Sequence, residues 1–273
     1  MRHNSNEDFF NHDTPESFYW AGFIAADGCI RIQEKKYKQL VIGIDKKDIE
    51  HLYKFKKAIS FEGPVGVSKA GIVSVYISSG KIFDSLGRFG ITPRKSLTYR
   101  FPKWLKKHYL VNHFMRGYFD GDGSFYFDKR NNTNRLCAKL IGTKQCIKSF
   151  IAVLINNGLP DTKIFEKWYV KNGNCYFYFT YKSYSSTNLL KDFLYNNADE
   201  SIRLDRKYNI TQQCTLEKAC YRAAIGKNIK TGEIIKINAM KEASDFGFVP
   251  DSVGKCCRGK IKDHRGYVWS YDK

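Results

Sequence analysis

No apolar run in this sequence approaches the length of a bilayer-spanning helix, and the opening "MRHNSNEDFFNHD" has neither the apolar stretch of a secretory signal nor the Arg-rich, acid-poor look of a transit peptide. The chain is therefore expected to stay where it is made, in the cytoplasm or, if organelle-encoded, in the organellar matrix, with no membrane partner. No basic amphipathic helix stands out to argue for a membrane surface. Eight cysteines (29, 137, 146, 175, 214, 220, 256 and 257) form no CxxC pair and no His spacing suited to tetrahedral zinc, so they read as reduced thiols. Acids are also scarce: 27 Asp and Glu face 46 Lys and Arg, a formal charge of +19. Such an excess is the electrostatic footprint of a polyanion binder. The basic residues alternate with Tyr, Phe and Trp in strand-like segments, which favours nucleic acid over a merely soluble basic surface. With 273 residues, 42% of them hydrophobic, the chain can build one large domain or two smaller ones, each with a core.

What the chain has is a repeat. In "FYWAGFIAADGCIRI" the small residues Ala21, Gly22, Ala25 and Ala26 leave one stripe of a helix nearly bare, and in "HFMRGYFDGDGSFYF" Gly117 and Gly121 do the same. The two bare stripes are natural partners, and Gly28 and Gly123 are expected to end the helices as glycine C-caps. A hairpin follows the first motif, with Ile30 and Ile32 alternating with Arg31, Gln33 and Lys35 and "QLVIGI" as the return strand. "DKKDIEHLYKFKKAIS" then places Ile49, Leu52, Phe55 and Ile59 at helical spacing, with Asp45 or Asp48 as cap. "PVGVSK" with "GIVSVYIS" makes a second hairpin, and "KIFDSLGRFGI" a short helix. The second half replays this order through "SFYFDKR", "LCAKLIG", "KQCIKSFIAVLINNG", "KIFEKWYVK", "CYFYFTY" and "STNLLKDFLY". A period of about one hundred residues implies two similar halves about a pseudo-twofold axis, with the motif helices at the junction.

"WAGFIAADG" (20–28) and "MRGYFDGDG" (115–123) resemble the paired signatures of double-motif LAGLIDADG homing endonucleases. The resemblance covers roughly residues 15–210 and departs from the family at Ala25, where the earlier of the two motif acids is missing. It implies an α+β fold of two αββαββα repeats, spanning 1–110 and 111–210, whose sheets form a saddle over the DNA major groove. It also implies a monomer that cuts both strands of a long asymmetric duplex target, promoting mobility of its own gene or intron. The final motif acids, Asp27 and Asp122, are then the catalytic metal ligands, with Gly28 and Gly123 beside them. Close carboxylates repel unless cations neutralise them, and hard oxygen donors select Mg²⁺. Mn²⁺ is expected to substitute, and Ca²⁺ to support binding without cleavage. The plain alternative is that both acids merely cap helices or begin strands. An EF-hand in "DGDGSFYFDKRN" is excluded, because its twelfth position is Asn131 in place of Glu. "GITPRKS" and "IRLDRKY" resemble the family segments that send a lysine toward the scissile phosphates, which nominates Lys95 and Lys207.

Sequence readout is expected from the polar strand faces, since residues two apart share a face. Arg31, Gln33 and Lys35 form one row, Tyr126, Asp128 and Arg130 the matching one, and Ser74, Tyr76, Lys167, Tyr169 and Lys171 extend them. After a linker at 211–222, residues 223–273 resemble the small modular DNA-binding repeats appended to nucleases. A strand, a helix after Asn238, a turn at Gly247, a second helix capped near Asp251 and a closing strand would make a helix-turn-helix-like unit. Lys255, Arg258 and Lys260 are its candidate DNA contacts. From residue 221 onward eleven basic face six acidic residues, a net +5. Two rivals share the scaffold: a maturase that binds intron RNA, and a cleavage-inactive DNA-binding regulator. The pair Asp27 and Asp122 favours the enzyme. With no Cys or Ser at position 1 and no terminal His-Asn pair, the chain is expected to be free-standing rather than an intein.

Overall fold

The computed structural model describes residues 3–33, 37–129, 135–169, 173–196, 198–213 and 223–272. The chain divides into two compact units, Met1–Cys214 and Thr215–Lys273.

The first unit runs α1 (Pro15–Asp27), β1 (Gly28–Gln33), β2 (Tyr37–Asp45), α2 (Ile49–Ala58), β3 (Gly66–Val67), β4 (Ile72–Ser78) and α3 (Gly80–Gly87). It then repeats as α4 (Val111–Asp122), β5 (Gly123–Asp128), β6 (Arg135–Gly142), α5 (Lys144–Asn156), β7 (Phe165–Tyr169), β8 (Asn174–Tyr181) and α6 (Tyr184–Tyr195), closing on α7 (Asp205–Gln212). The two antiparallel sheets have matching orders, β1-β2-β4-β3 and β5-β6-β8-β7. This is the repeated α+β architecture that the two motifs imply.

Helix α1 starts at a capping box: the Thr14 hydroxyl accepts from Ser17 N at 3.1 Å, the Ser17 hydroxyl accepts from Thr14 N, and Pro15 fills the first turn. From Ser17 to Ala25 every residue is buried, so α1 is a core helix rather than a surface one. Its partner is α4, and the glycine stripes explain how close they come. A Cβ on Gly22 would stand 2.0 Å from the Phe114 carbonyl oxygen, and one on Gly117 would stand 1.9 Å from that of Tyr19. Only hydrogen fits at either crossing point. Around this pair, α2 contributes Leu52 and Phe55, β4 contributes Val73, Val75 and Ile77, and β6 contributes Leu136, Ala138 and Leu140, all in one continuous core.

The motif helices end at their expected glycines, and one of the two candidate caps near α2 is used. Gly28 and Gly123 end the helices with extended backbone (φ −75° and −91°), so neither is a left-handed cap. Glycine is needed there because a Cβ would strike the preceding helical turn, 2.7 Å from the Ile24 carbonyl oxygen and 2.5 Å from that of Phe119. Asp45 caps the 3-10 turn before α2 by accepting from Lys47 N at 3.0 Å, whereas Asp48 makes no capping bond and faces Arg206.

The second unit has a three-stranded sheet, order β10-β9-β11, from β9 (Ala224–Asn228), β10 (Ile234–Ile237) and β11 (Tyr267–Tyr271). Its core gathers Phe248, Val253, Tyr267 and Trp269. The segment after Asn238 is a 3-10 turn, Met240–Ser244, and α8 (Pro250–Cys257) is the one α-helix among the described residues of this unit. The expected pair of α-helices is therefore corrected. Gly247 does turn the chain, at φ +78°. Val249 is the cap residue of α8, because Asp251 lies inside the first turn and is bound to Lys255 at 2.7 Å. The linker positions 214–222 lie outside the described residues.

Candidate functional site

Asp27 is the last residue of α1 and Asp122 the last of α4, so the reciprocal glycine contact delivers both carboxylates to one end of the helix pair. Gly121 lies at the contact, where an added Cβ would be 3.4 Å from the Asp27 carboxylate. Gly28 and Gly123 each begin a strand immediately afterward. The Asp27 side chain is exposed and that of Asp122 half-buried, and each lines a recess. Loss of bulk water raises the Asp27 pKa, against the pull of Lys207 and Lys95. It pushes that of Asp122 up to about 7, with the Asp27 charge adding to the rise and the Tyr118 hydroxyl bond opposing it. The pair is thus in electrostatic want of a cation.

The nominated lysines both reach this end of the helices. Lys95 donates to the Ala26 carbonyl at 3.2 Å. Lys207 stands below the carbonyls of Phe119 (3.0 Å), Asp120 (2.5 Å), Gly121 (3.0 Å) and Gly123 (2.6 Å). Each ammonium therefore satisfies carbonyls that a helix C-terminus leaves open, where the dipole favours positive charge. Burial lowers both pKa values, that of Lys207 to about 8, while the neighbouring aspartates pull them back up. Arg94, immediately before Lys95, lies in the left-handed region at φ +58°.

Two recesses flank the acids. One of about 340 Å³ is lined by Lys95, Tyr99, Tyr118, Asp122 and Tyr176. The other, of about 270 Å³, is lined by Asp27, Asp48, Asp120, Leu204 and Arg206. The sheets carry the remaining candidates. Arg31, Ser74 and Tyr76 share the face of the first sheet away from its core, aligned through Gln39, Gly43 and Val41. Tyr126 and Lys167 share the corresponding face of the second, through Cys137 and Tyr176. Asp128 departs from its row, because it is buried beside Arg135 and offers no open carboxylate. Lys35, Arg130 and Lys171 lie outside the described residues, as do the side chains of Gln33 and Tyr169. Lys255, Arg258 and Lys260 are exposed on the second unit, where Lys255 is partnered by Asp251.

Sequence reasoning missed Tyr118, Asp120 and Arg206. A signal existed for the first two: ninety-five positions separate Phe23 from Tyr118 and Ala25 from Asp120, and at both the second motif adds a polar group to an apolar position of the first.

No group of three or more His, Cys, Asp or Glu converges among the described residues. Two carboxylates and the adjoining main-chain oxygens make a hard-oxygen donor set, which fits Mg²⁺ rather than zinc.

This arrangement of duplicated repeats meeting at two acid-tipped helices is the α+β architecture that the resemblance of the two motifs implies. The sequence matches no family model and no curated protein. Among solved structures the chain is similar to the LAGLIDADG homing endonuclease I-SmaMI bound to cleaved DNA, with 16% identity, 74% of this chain and 88% of that one covered, and a TM-score of 0.49. The homing endonuclease I-WcaI bound to its DNA recognition sequence gives 17% identity, 74% and 91% coverage, and 0.49. I-GzeII in complex with a DNA target gives 14%, 73%, 88% and 0.48.

Proposed function

We propose that this protein is a divalent-metal-dependent, site-specific DNA endonuclease that hydrolyses both strands of a long asymmetric duplex target. The observation that carries the reading is the acid pair: two aspartates at the ends of reciprocally packed helices, each followed at once by a strand of a polar-faced sheet. Asp27 and Asp122, with main-chain oxygens at Gly28 and Gly123, would hold the metal. When bound, Mg²⁺ supplies Lewis-acid stabilisation of the phosphoryl and leaving oxygens and an acidified water. Lys95 and Lys207 bring positive charge beside the acids and hold the helix ends in place, so the carboxylates need no reorganisation as charge develops on phosphate. Arg31, Ser74, Tyr76, Tyr126 and Lys167 face the duplex, and their unlike rows suit an asymmetric site. The exposed Lys255, Arg258 and Lys260 would extend the contact to flanking DNA.

The test begins by capturing a target from a randomised duplex library in Ca²⁺ and sequencing what is retained. On that target, wild type should cut with Mg²⁺ or Mn²⁺ and stop in EDTA. Asp122→Asn should abolish double-strand cleavage while binding stays within a few fold. Undiminished cutting in EDTA, or a near wild-type rate for Asp122→Asn, refutes the assignment.

A further inference from the structure

The two halves of the site are not built alike, and one of the differences lies at a single motif position. Where α1 has Ala25, α4 has Asp120, a buried carboxylate 2% exposed. Its two oxygens collect donors from three elements. Tyr19 OH of α1 donates to Oδ2 at 2.7 Å, the Leu204 N–H donates to Oδ2 at 2.8 Å, and Tyr195 OH of α6 donates to Oδ1. Such convergence satisfies a buried anion that would otherwise be costly.

The Leu204 bond reaches furthest. Leu204 is the residue before α7, and its carbonyl accepts from Lys207 N and Tyr208 N, both at 3.0 Å, so it opens that helix. Lys207 lies in the first turn, and its ammonium returns to the carbonyls of Phe119, Asp120, Gly121 and Gly123. Asp120 thus holds both ends of a loop: its side chain fixes the start of α7, and its main chain receives the lysine that α7 delivers. The first repeat braces the same turn. Lys54 pairs with Asp205 at 2.6 Å and donates to the Glu200 carbonyl at 2.7 Å, and Arg206 grips Asp48 through two nitrogens at 2.9 and 2.8 Å. Lys95 has a different arrangement. Among the described residues it has one carbonyl partner, at 3.2 Å, and the position matching Asp120 is a methyl group.

We propose that Asp120 is a positioning residue for Lys207, fixing its ammonium against the end of α4 through the Leu204 N–H, and that the Lys95 half of the site has no such brace. Its catalytic consequence rests on the nuclease reading above; its structural content does not.

Leu204→Pro removes one N–H. The native φ of −83° is close to that of proline, and Arg203 before it is extended, as the residue preceding proline should be. Leu204→Ala keeps the N–H and loses the buried side chain, so it controls for packing. Asp120→Asn leaves one side-chain carbonyl oxygen to serve three donors. The primary readout is lysine reactivity in the folded full-length protein, by reductive methylation with isotopic formaldehyde and peptide mass spectrometry. Lys207 should be strongly protected in wild type and in Leu204→Ala. It should become at least about tenfold more reactive in Leu204→Pro and Asp120→Asn, as loss of one charge-assisted bond implies. Lys95 should not change, which separates local release from general loosening. Lys207 protection unchanged in both variants, or Lys95 and Lys207 rising together, overturns the proposal.

Strand-resolved cleavage supplies the second readout. Leu204→Pro and Asp120→Asn should slow one strand about tenfold relative to the other, with DNA affinity unchanged, and Leu204→Ala should keep the wild-type ratio. An unaltered strand ratio beside a released Lys207 would overturn the catalytic consequence. A wild-type protein that cuts neither strand would instead refute the nuclease reading, and the labelling result would still decide the role of Asp120.

Discussion

Replacing Gly117 by alanine adds one methyl group at the tightest point of the molecule. Its Cβ would lie 1.9 Å from the Tyr19 carbonyl oxygen, 2.8 Å from Phe23 N and 2.9 Å from Tyr19 C. All three atoms are main chain, so no side chain can rotate away. Contacts below 3.0 Å are essentially never tolerated, and the helices must therefore part by about 1 Å at the crossing. Overpacking a well-filled core typically costs about 1–3 kcal/mol, and two unyielding backbones put this case at about 3 kcal/mol or above. Alanine is itself a better helix former than glycine by about 1 kcal/mol, so the observed loss should be near 2 kcal/mol. The measurement is the urea midpoint by far-UV circular dichroism, with the m-value held common. Gly80→Ala is the control, since a Cβ there meets nothing within 4 Å; it should be neutral or stabilise slightly. A Gly117→Ala protein within about 0.5 kcal/mol of wild type, the scale of an ordinary surface change, would refute the argument that this contact sets the helix separation. The same parting should move Asp27 and Asp122 relative to each other, so cleavage should fall even where the variant remains folded.

His51 is buried against Tyr19, whose hydroxyl is 3.1 Å from Nε2, and burial with the charges of Lys54 and Lys207 drops its pKa to about 3. The unfolded imidazole takes a proton near pH 6.5 and the folded one does not, so its contribution is full above that pH and is lost as pH falls toward 3, by up to about 1.4 kcal/mol per pH unit. His51→Gln should therefore lose less stability than wild type between pH 7 and pH 5; equal slopes in urea titrations would reject this. Each unit has its own hydrophobic core, so a chain ending at Cys214 should melt as a cooperative unit. That chain should cut the same phosphates and bind about 10- to 100-fold more weakly. An identical footprint and affinity with and without residues 215–273 would remove the second unit from DNA binding. Affinity of the full chain should also fall steeply with monovalent salt, as counterion release requires; a flat dependence would speak against the basic sheet faces as the DNA surface.

The glycine stripes were legible because close helix approach permits few residue types, and the spacing of Gly22 and Gly117 states that constraint in the sequence itself. The acids were nominated by the resemblance of the two motifs, and each lies five places after its glycine, at the end of its helix. Strand faces were legible wherever alternation was clean, as at Arg31 and Tyr126. Asp128 was not, because alternation gives a face but not the counter-charge across the strand that lets an acid become buried on it. The tail was read least well. "AIGKN" has four small or polar residues of low strand propensity, and pairing on both edges makes it the central strand nonetheless. The segment after Asn238 has few residues before Gly247 turns the chain, and it settles as a 3-10 turn.

The least legible feature was how the lysines are used. Lys207 is recognised by four carbonyl oxygens, and main-chain atoms carry no residue identity for a sequence to display. Asp120 meets its donors across 101, 75 and 84 residues, beyond any local period. Yet the duplication makes the pattern recoverable after the fact. Two copies of one unit need the same glycines and final acids to pack and to place charge, so those positions agree. Among the six motif positions where the copies differ, Ala25 against Asp120 and Phe23 against Tyr118 give the second copy a polar group beside a candidate site residue. A difference between the repeats that adds a polar group therefore marks where the two halves of the candidate site are built unequally.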